Sequence, residues 1–226
     1  MSLRSTLGEM HAADFEPRIC LPVLLALALC LANLISGSDA RAASATEPKG
    51  VESMRALALE LLRAQDYDRS IAVYREIARQ TPNDARSHYD LAAALSFVQR
   101  YEEAAPPIHA AIRLRPDDLE AQEMASLIFL KLRWYEQAFE ATLRSAELGE
   151  PTAMFSLVNL YEKGLGVTAN ADKAVYWAIK AAEHGHLGAM ALLEDAFRNG
   201  RLGRHIDEEK AEMWAKRLRE AKSAQK

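Results

Sequence analysis

The residues with chemical potential are few, and their spacing points away from catalysis. His184-Gly185-His186 has a chelating look, with His205 in a later loop, and imidazoles at short spacing are what a zinc site needs. Histidines beside a glycine that ends a helix more often bond the last carbonyls or stand in solvent. Glu102-Glu103 and Glu208-Glu209 fall at expected helix starts, where the helix dipole favours carboxylates, so neither pair reads as an acid/base couple. Gly164-Leu165-Gly166 lacks the lysine and the preceding strand of a phosphate loop, and no Gly-x-Ser-x-Gly elbow, His-Glu-x-x-His or Cys-x-x-Cys occurs. The sequence therefore predicts no catalytic residue, no cofactor and no metal ligand.

The elements around these residues are expected to be helical. Half of the 226 residues are hydrophobic, and only 10 are Gly and 8 Pro, a composition that suits helices with turns at the breakers. With 28 basic against 32 acidic side chains and a net charge of −4, the chain has no electrostatic pull toward nucleic acid. A small-molecule substrate is not expected either.

Residues 1–42 read as a signal peptide, or an uncleaved signal anchor. Arg18 precedes an apolar run from Ile19 to Ala32, shorter than the roughly 20 residues that span a bilayer. Ala40-Arg41-Ala42 and Ala43-Ser44-Ala45 then offer the small-x-small pattern of a cleavage site. Both cysteines, Cys20 and Cys30, lie in this segment, so the mature chain would need no disulfide in an oxidising compartment. Periplasmic or secreted localisation is expected after cleavage, and inner-membrane anchorage without it. Residues 43–50 are a linker ending in Thr46-Glu47-Pro48-Lys49-Gly50.

Beyond the linker the chain repeats itself with two periods. At an offset of 34, Tyr67 aligns with Tyr101, Ile77 with Ala111 and Pro82 with Pro116. At an offset of 36, Ala146-Glu147-x-Gly149-x-x-x-Ala153-Met154-x-x-Leu157 recurs as Ala182-Glu183-x-Gly185-x-x-x-Ala189-Met190-x-x-Leu193. After one inserted residue, Gly166 pairs with Gly203, Asn170 with Asp207 and Trp177-Ala178 with Trp214-Ala215. Leu91-Ala92, Leu95, Tyr101, Ala104, Ala111 and Pro116 give residues 51–148 a resemblance to the tetratricopeptide repeat. Tyr161-x-x-Gly164-x-Gly166-Val167 and Ala174-x-x-Trp177 make residues 149–221 resemble the Sel1-like repeat, with 222–226 left as a tail.

These resemblances imply an all-α fold, a right-handed α-solenoid of about five antiparallel helical hairpins, whose second helices start near Tyr67, Tyr101, Tyr135, Asn170 and Asp207. Pro106-Pro107 should delay or kink the second helix of the second hairpin. They also imply a function: an exported, non-catalytic scaffold or adaptor that binds a protein or peptide on the concave face, regulating envelope signalling or assembly. The first helix of each tetratricopeptide hairpin lines that face, which maps to Arg55, Leu59 and Arg63, to Tyr89, Ala93, Ser96 and Phe97, and to Glu123, Leu127 and Lys131. Tyr89 and Phe97 are the expected anchors. Leu59, Asp90, Glu120 and Met124 stand where chaperone-tail binders of this family carry Lys and Asn, so that carboxylate clamp is absent. A membrane-anchored scaffold of an export or assembly complex is one alternative. The other is a small hydrolase of the Sel1-like type, against which the missing cysteines and nucleophile motifs argue.

Overall fold

The computed structural model describes residues 50–224. Among them, ten α-helices succeed one another: α1 (Val51–Arg63), α2 (Tyr67–Gln80), α3 (Ala85–Phe97), α4 (Tyr101–Leu114), α5 (Leu119–Lys131), α6 (Tyr135–Glu147), α7 (Pro151–Lys163), α8 (Ala171–Glu183), α9 (Leu187–Asn199) and α10 (Glu208–Ala224), with a 3₁₀ turn at Arg201–Gly203. Consecutive helices pair as five hairpins, and each hairpin packs on the next, α2 on α3, α4 on α5, α6 on α7 and α8 on α9. The expected signal segment and all of the linker except Gly50 lie outside the described residues. Among the described residues, no helix is long and apolar enough to cross a membrane.

Three of the five second helices begin where a side chain supplies a missing acceptor, while those starting at Tyr101 and Tyr135 have no such cap. Asp66 accepts from the Arg69 N–H, Asn170 from Lys173 and Asp207 from Lys210, the oxygens needed by the orphan donors of a first turn. The stretch 222–226, expected to be a tail, is in part helix: α10 runs through to Ala224, since Ala and Lys favour helix and no breaker intervenes. Nor is α4 delayed by its prolines. It starts at Tyr101 and keeps both rings inside. The carbonyls of Glu102 and Glu103 lose their helical donors, but both residues are exposed and water can replace them.

Within each hairpin the helices approach through small residues. The fourth residue of each second helix, Ser70, Ala104, Ala138, Ala174 and Ala211, is completely buried. Ser70 stands where its equivalents are alanine, and its hydroxyl donates to the Ala58 carbonyl of α1 at 2.8 Å. Larger side chains, among them Ile71, Ile77, Leu95, Ile108, Ile128, Phe129, Leu157 and Leu193, fill the remaining space at 1% exposure or less.

The turns inside the hairpins come in two kinds. In the first three, one non-glycine residue takes the left-handed conformation: Gln65, Gln99 and Arg133, at φ of 61°, 61° and 59°. The next N–H then reaches back to a carbonyl of the first helix, as from Arg100 to Leu95 at 2.9 Å, closing the helix end. The fourth hairpin has a longer loop, tied by Asn170 N–H to the Tyr161 carbonyl at 2.9 Å. Its Gly166 (φ +71°) lies so close to α6 of the preceding hairpin that an added Cβ would stand 2.0 Å from the Tyr135 carbonyl oxygen. At the equivalent Gly203 nothing lies within 4 Å of such an atom.

Two outcomes follow for stability. Gly166→Ala meets backbone that cannot step aside, and chemical denaturation should show a loss on the order of 3 kcal/mol, whereas Gly203→Ala should lose only the left-handed backbone penalty of about 1 kcal/mol. Ser145 is fully buried and its hydroxyl has no hydrogen-bond partner; the 36-residue repeat places Ala181 at the same position. Ser145→Ala should therefore unfold at the same denaturant concentration or a higher one, with a gain of up to about 1 kcal/mol.

Candidate functional site

The first helices of the hairpins share one side of the array. α3 and α5 touch each other directly, while no two successive second helices do so to the same extent, which puts the first helices on the inside of the curve. The fifth residue of each is Arg55, Tyr89, Glu123, Phe155 and Ala191, and the ninth is Leu59, Ala93, Leu127, Asn159 and Asp195. These two rows form the candidate binding face.

At the N-terminal end the face is a closed ionic network. The Arg55 guanidinium donates to Glu52 at 2.7 Å, to Asp84 at 2.8 Å and to Asp90 at 3.2 Å, and Arg86 donates to Asp90 at 2.8 Å. Asp90 retains 11% of its side-chain exposure, and burial lifts its carboxyl above the usual carboxylate range against the pull of both arginines. Arg86 also lies over the Tyr89 ring, 5.6 Å from its centroid. Burial, with Glu120 nearby, pushes the Tyr89 hydroxyl up to about 12. Glu52, Arg55, Leu59, Tyr74, Arg86, Asp90 and Arg115 surround an open cavity of about 470 Å³.

The middle of the face has the opposite character. Glu123 is half-buried, and desolvation, reinforced by Glu150 and Glu120, pushes its carboxyl up to about 7. Glu150 caps α7 through the Thr152 N–H at 3.1 Å. His186 lies beyond it, its ring stacked on Phe155 with centroids 4.4 Å apart. Its Nδ1 accepts the Ala189 N–H at 3.1 Å, capping α9, and burial depresses its pKa although Glu150 opposes this. His184, read with His186 as a chelating pair, instead bonds the Lys180 carbonyl through Nδ1 at 2.9 Å. The two imidazoles thus serve two different helix ends.

The remaining expected contacts divide. Leu59 is exposed at the cavity, Leu127 is half-exposed, and Arg63 and Lys131 stand exposed at the ends of their helices. Phe97 is 51% exposed, yet its ring lies 5.7 Å from that of Tyr67, so it covers the junction of the first two hairpins. Ser96, expected on the contact face, is 8% exposed and lies beneath it. Phe155, Glu150 and His186 were not anticipated, although Phe155 repeats the helix position of Tyr89 and Glu123. Elsewhere, Phe129 stacks on Trp134 and meets His109 at a tilt, and His109 and Phe129 line a cavity of about 630 Å³ with Pro106, Gln137 and Arg144.

Stacked hairpins with such an inner face define an α-solenoid of the tetratricopeptide and Sel1 type. The Sel1 repeat matches residues 151–186, the fourth hairpin and the start of the fifth. A Sel1 repeat protein from Oxalobacter formigenes shares 24% identity over 76% of this chain and 74% of its own, with a TM-score of 0.52. MamA from Desulfovibrio magneticus RS-1 shares 20% identity over 77% and 96%, with a TM-score of 0.57. YrrB, described as a TPR protein with an unusual peptide-binding site, shares 19% over 76% and 86%, with a TM-score of 0.55. At such identities the likeness is one of fold. No curated protein matches the chain in sequence.

The raised carboxyl of Glu123 links stability to pH. A group that holds its proton more tightly when folded stabilises the fold fully below its unfolded pKa, near 4.5, and that contribution is lost as pH rises through about 7. Glu123→Gln should leave stability nearly unchanged at about pH 4 and exceed the parent by on the order of 1 kcal/mol at about pH 8, after discounting for residual solvent. Denaturant melts of both proteins across this range measure the gap, which should widen as pH rises.

Proposed function

We propose that the chain is an exported, non-catalytic scaffold or adaptor that holds a protein or peptide along the inner face of its first helices. The observation that carries this reading is the row of aliphatic and aromatic side chains, Leu59, Tyr89, Leu127 and Phe155, left wholly or partly exposed on one side of the hairpins and interleaved with Arg55 and Glu123. Large side chains with few rotatable bonds give contact area at low entropic cost. Clustered charge between them fixes register and orientation more than affinity. Tetratricopeptide and Sel1 repeat solenoids are suited to protein–protein contact of this kind, and the peptide-binding site named for YrrB agrees with it. Fold alone does not select a partner.

Export rests on the apolar run Ile19–Ala32 and the small-x-small sites after it. An exported adaptor of this design would act in envelope signalling or assembly. The mass of the protein recovered from a secreting host should correspond to a chain beginning near residue 43, and a mass that retains the leader would mean anchorage instead.

The binding face is tested with a photo-crosslinking amino acid placed at Leu127 or, for comparison, at Ala72, which is exposed on the second helix α2. Irradiation in the native host should capture one discrete partner from position 127 and not from position 72. Equal capture from both sites, or capture from position 72 alone, would place the interface on the other side of the array.

A further inference from the structure

We propose that the partner of the inner face presents a cationic side chain, Arg or Lys, next to an apolar residue, and that the cation pairs with Glu123. The proposal rests on the inner-face reading above and adds to it the chemistry of the ligand.

At the middle of this face, around Glu123, the charge left without an ion pair is negative. Arg55 and Arg86 are held by Glu52, Asp84 and Asp90, so these two arginines of the inner face are internally neutralised. Glu120 and Glu123, one turn apart on α5, make no hydrogen bond or ion pair among the described residues, and Glu150, capping α7 through the Thr152 N–H, is near enough to act on Glu123. Arg86 and Tyr89 of α3 both feel Glu120, but Arg86 is committed to Asp90. Across α7, burial lowers the pKa of His186, at the cap of α9, against the opposing pull of Glu150, and its Nδ1 is engaged by the Ala189 N–H. Among the described residues, no cation is thus in an ion pair with the carboxylate at the centre of the face.

Such an arrangement costs the folded protein free energy. A half-buried carboxylate with two others nearby loses solvation and gains repulsion, and only an incoming cation or a proton relieves both. Groups held in an unfavourable charge state at a surface cleft are characteristic of binding sites. The three carboxylates are not arranged as a metal site: among the described residues, no group of three or more His, Cys, Asp or Glu side chains is placed to hold an ion. The environment suits a side chain better. Leu127 lies one turn along α5 from Glu123, and Tyr89 and Phe155 hold the same position on the flanking first helices, so an Arg or Lys can lay its methylenes on apolar surface while its charged head reaches the carboxylate. A guanidinium adds a bidentate geometry.

Binding of a cation favours the charged form of Glu123, so affinity should rise with pH through the neutral range. Glu120, Glu150 and His186 belong to the same neighbourhood, which makes the Glu123 variants the decisive comparison.

The experiment uses the full chain and an immobilised library of short peptides in which all residue types occur at each position. Peptides retained by the parent protein should be enriched in Arg or Lys with an apolar neighbour. Their affinity should fall about tenfold in Glu123→Gln and also on lowering the pH from about 8 to about 5.5. Glu123→Asp, which keeps the charge, should preserve the basic preference, and denaturant melts establish that both variants fold. Retained peptides without basic enrichment, or with an enrichment that Glu123→Gln leaves intact, would overturn this inference while the inner-face function stands. Retention of no peptide on that face would overturn both.

Discussion

The array depends on a close approach of two helices made possible by one small side chain. The fourth residue of every second helix is an alanine or a serine with no solvent exposure. With so little between them, the helix backbones come near enough for the Ser70 hydroxyl of α2 to reach a carbonyl of α1. A larger residue there would force the helices apart and open gaps around Ile77, Leu95 or Phe129 that the surroundings could fill only in part. The apolar stripes left on the outside of each pair are then covered by the neighbouring pairs, which is why such units are stable only as a stack.

What holds successive hairpins together is mainly this shared apolar surface. Ion pairs cross between the outer helices, Arg75 with Glu103 and Arg100 with Asp68, but several of their side chains are widely exposed, Asp68 at 92%. Pairs of that kind contribute little in water. The network around Asp90 differs in that its two central members, Arg55 and Asp90, are largely shielded from solvent, at 20% and 11% exposure, where an ion pair is screened less. The same network takes up the charge of Arg55 and Arg86 within the first two hairpins.

Much of the fold could be read from residue types because the backbone dictates them locally. Left-handed turns after α6 and α8 called for Gly149 and Gly185, and helix starts called for Asn170 and Asp207, so the offsets of 34 and 36 translated directly into hairpins. The turns at Gln65, Gln99 and Arg133 carry no such mark, since non-glycine residues bear the left-handed strain there. The candidate face was legible only in outline. The first-helix rule found Leu59, Tyr89, Glu123 and Leu127, but following it only as far as the tetratricopeptide-like pattern extends left out Phe155. Burial of Ser96 depends on how neighbouring helices meet, which helix position alone does not determine. The raised carboxyl of Glu123 comes first from burial and then from Glu150, a residue of the next hairpin that only the stacked structure brings near.

The contact at Gly166 gives the stack a mechanical asymmetry. The loop of the fourth hairpin is wedged against the backbone of α6, so the third and fourth hairpins are coupled through main chain as well as side chains. The fifth hairpin repeats the loop without the wedge, leaving open space at Gly203. That loop is instead held by its 3₁₀ turn, which packs on α8 with Leu202 buried, so the joints on the two sides of the fourth hairpin rest on main chain in one case and on an apolar side chain in the other.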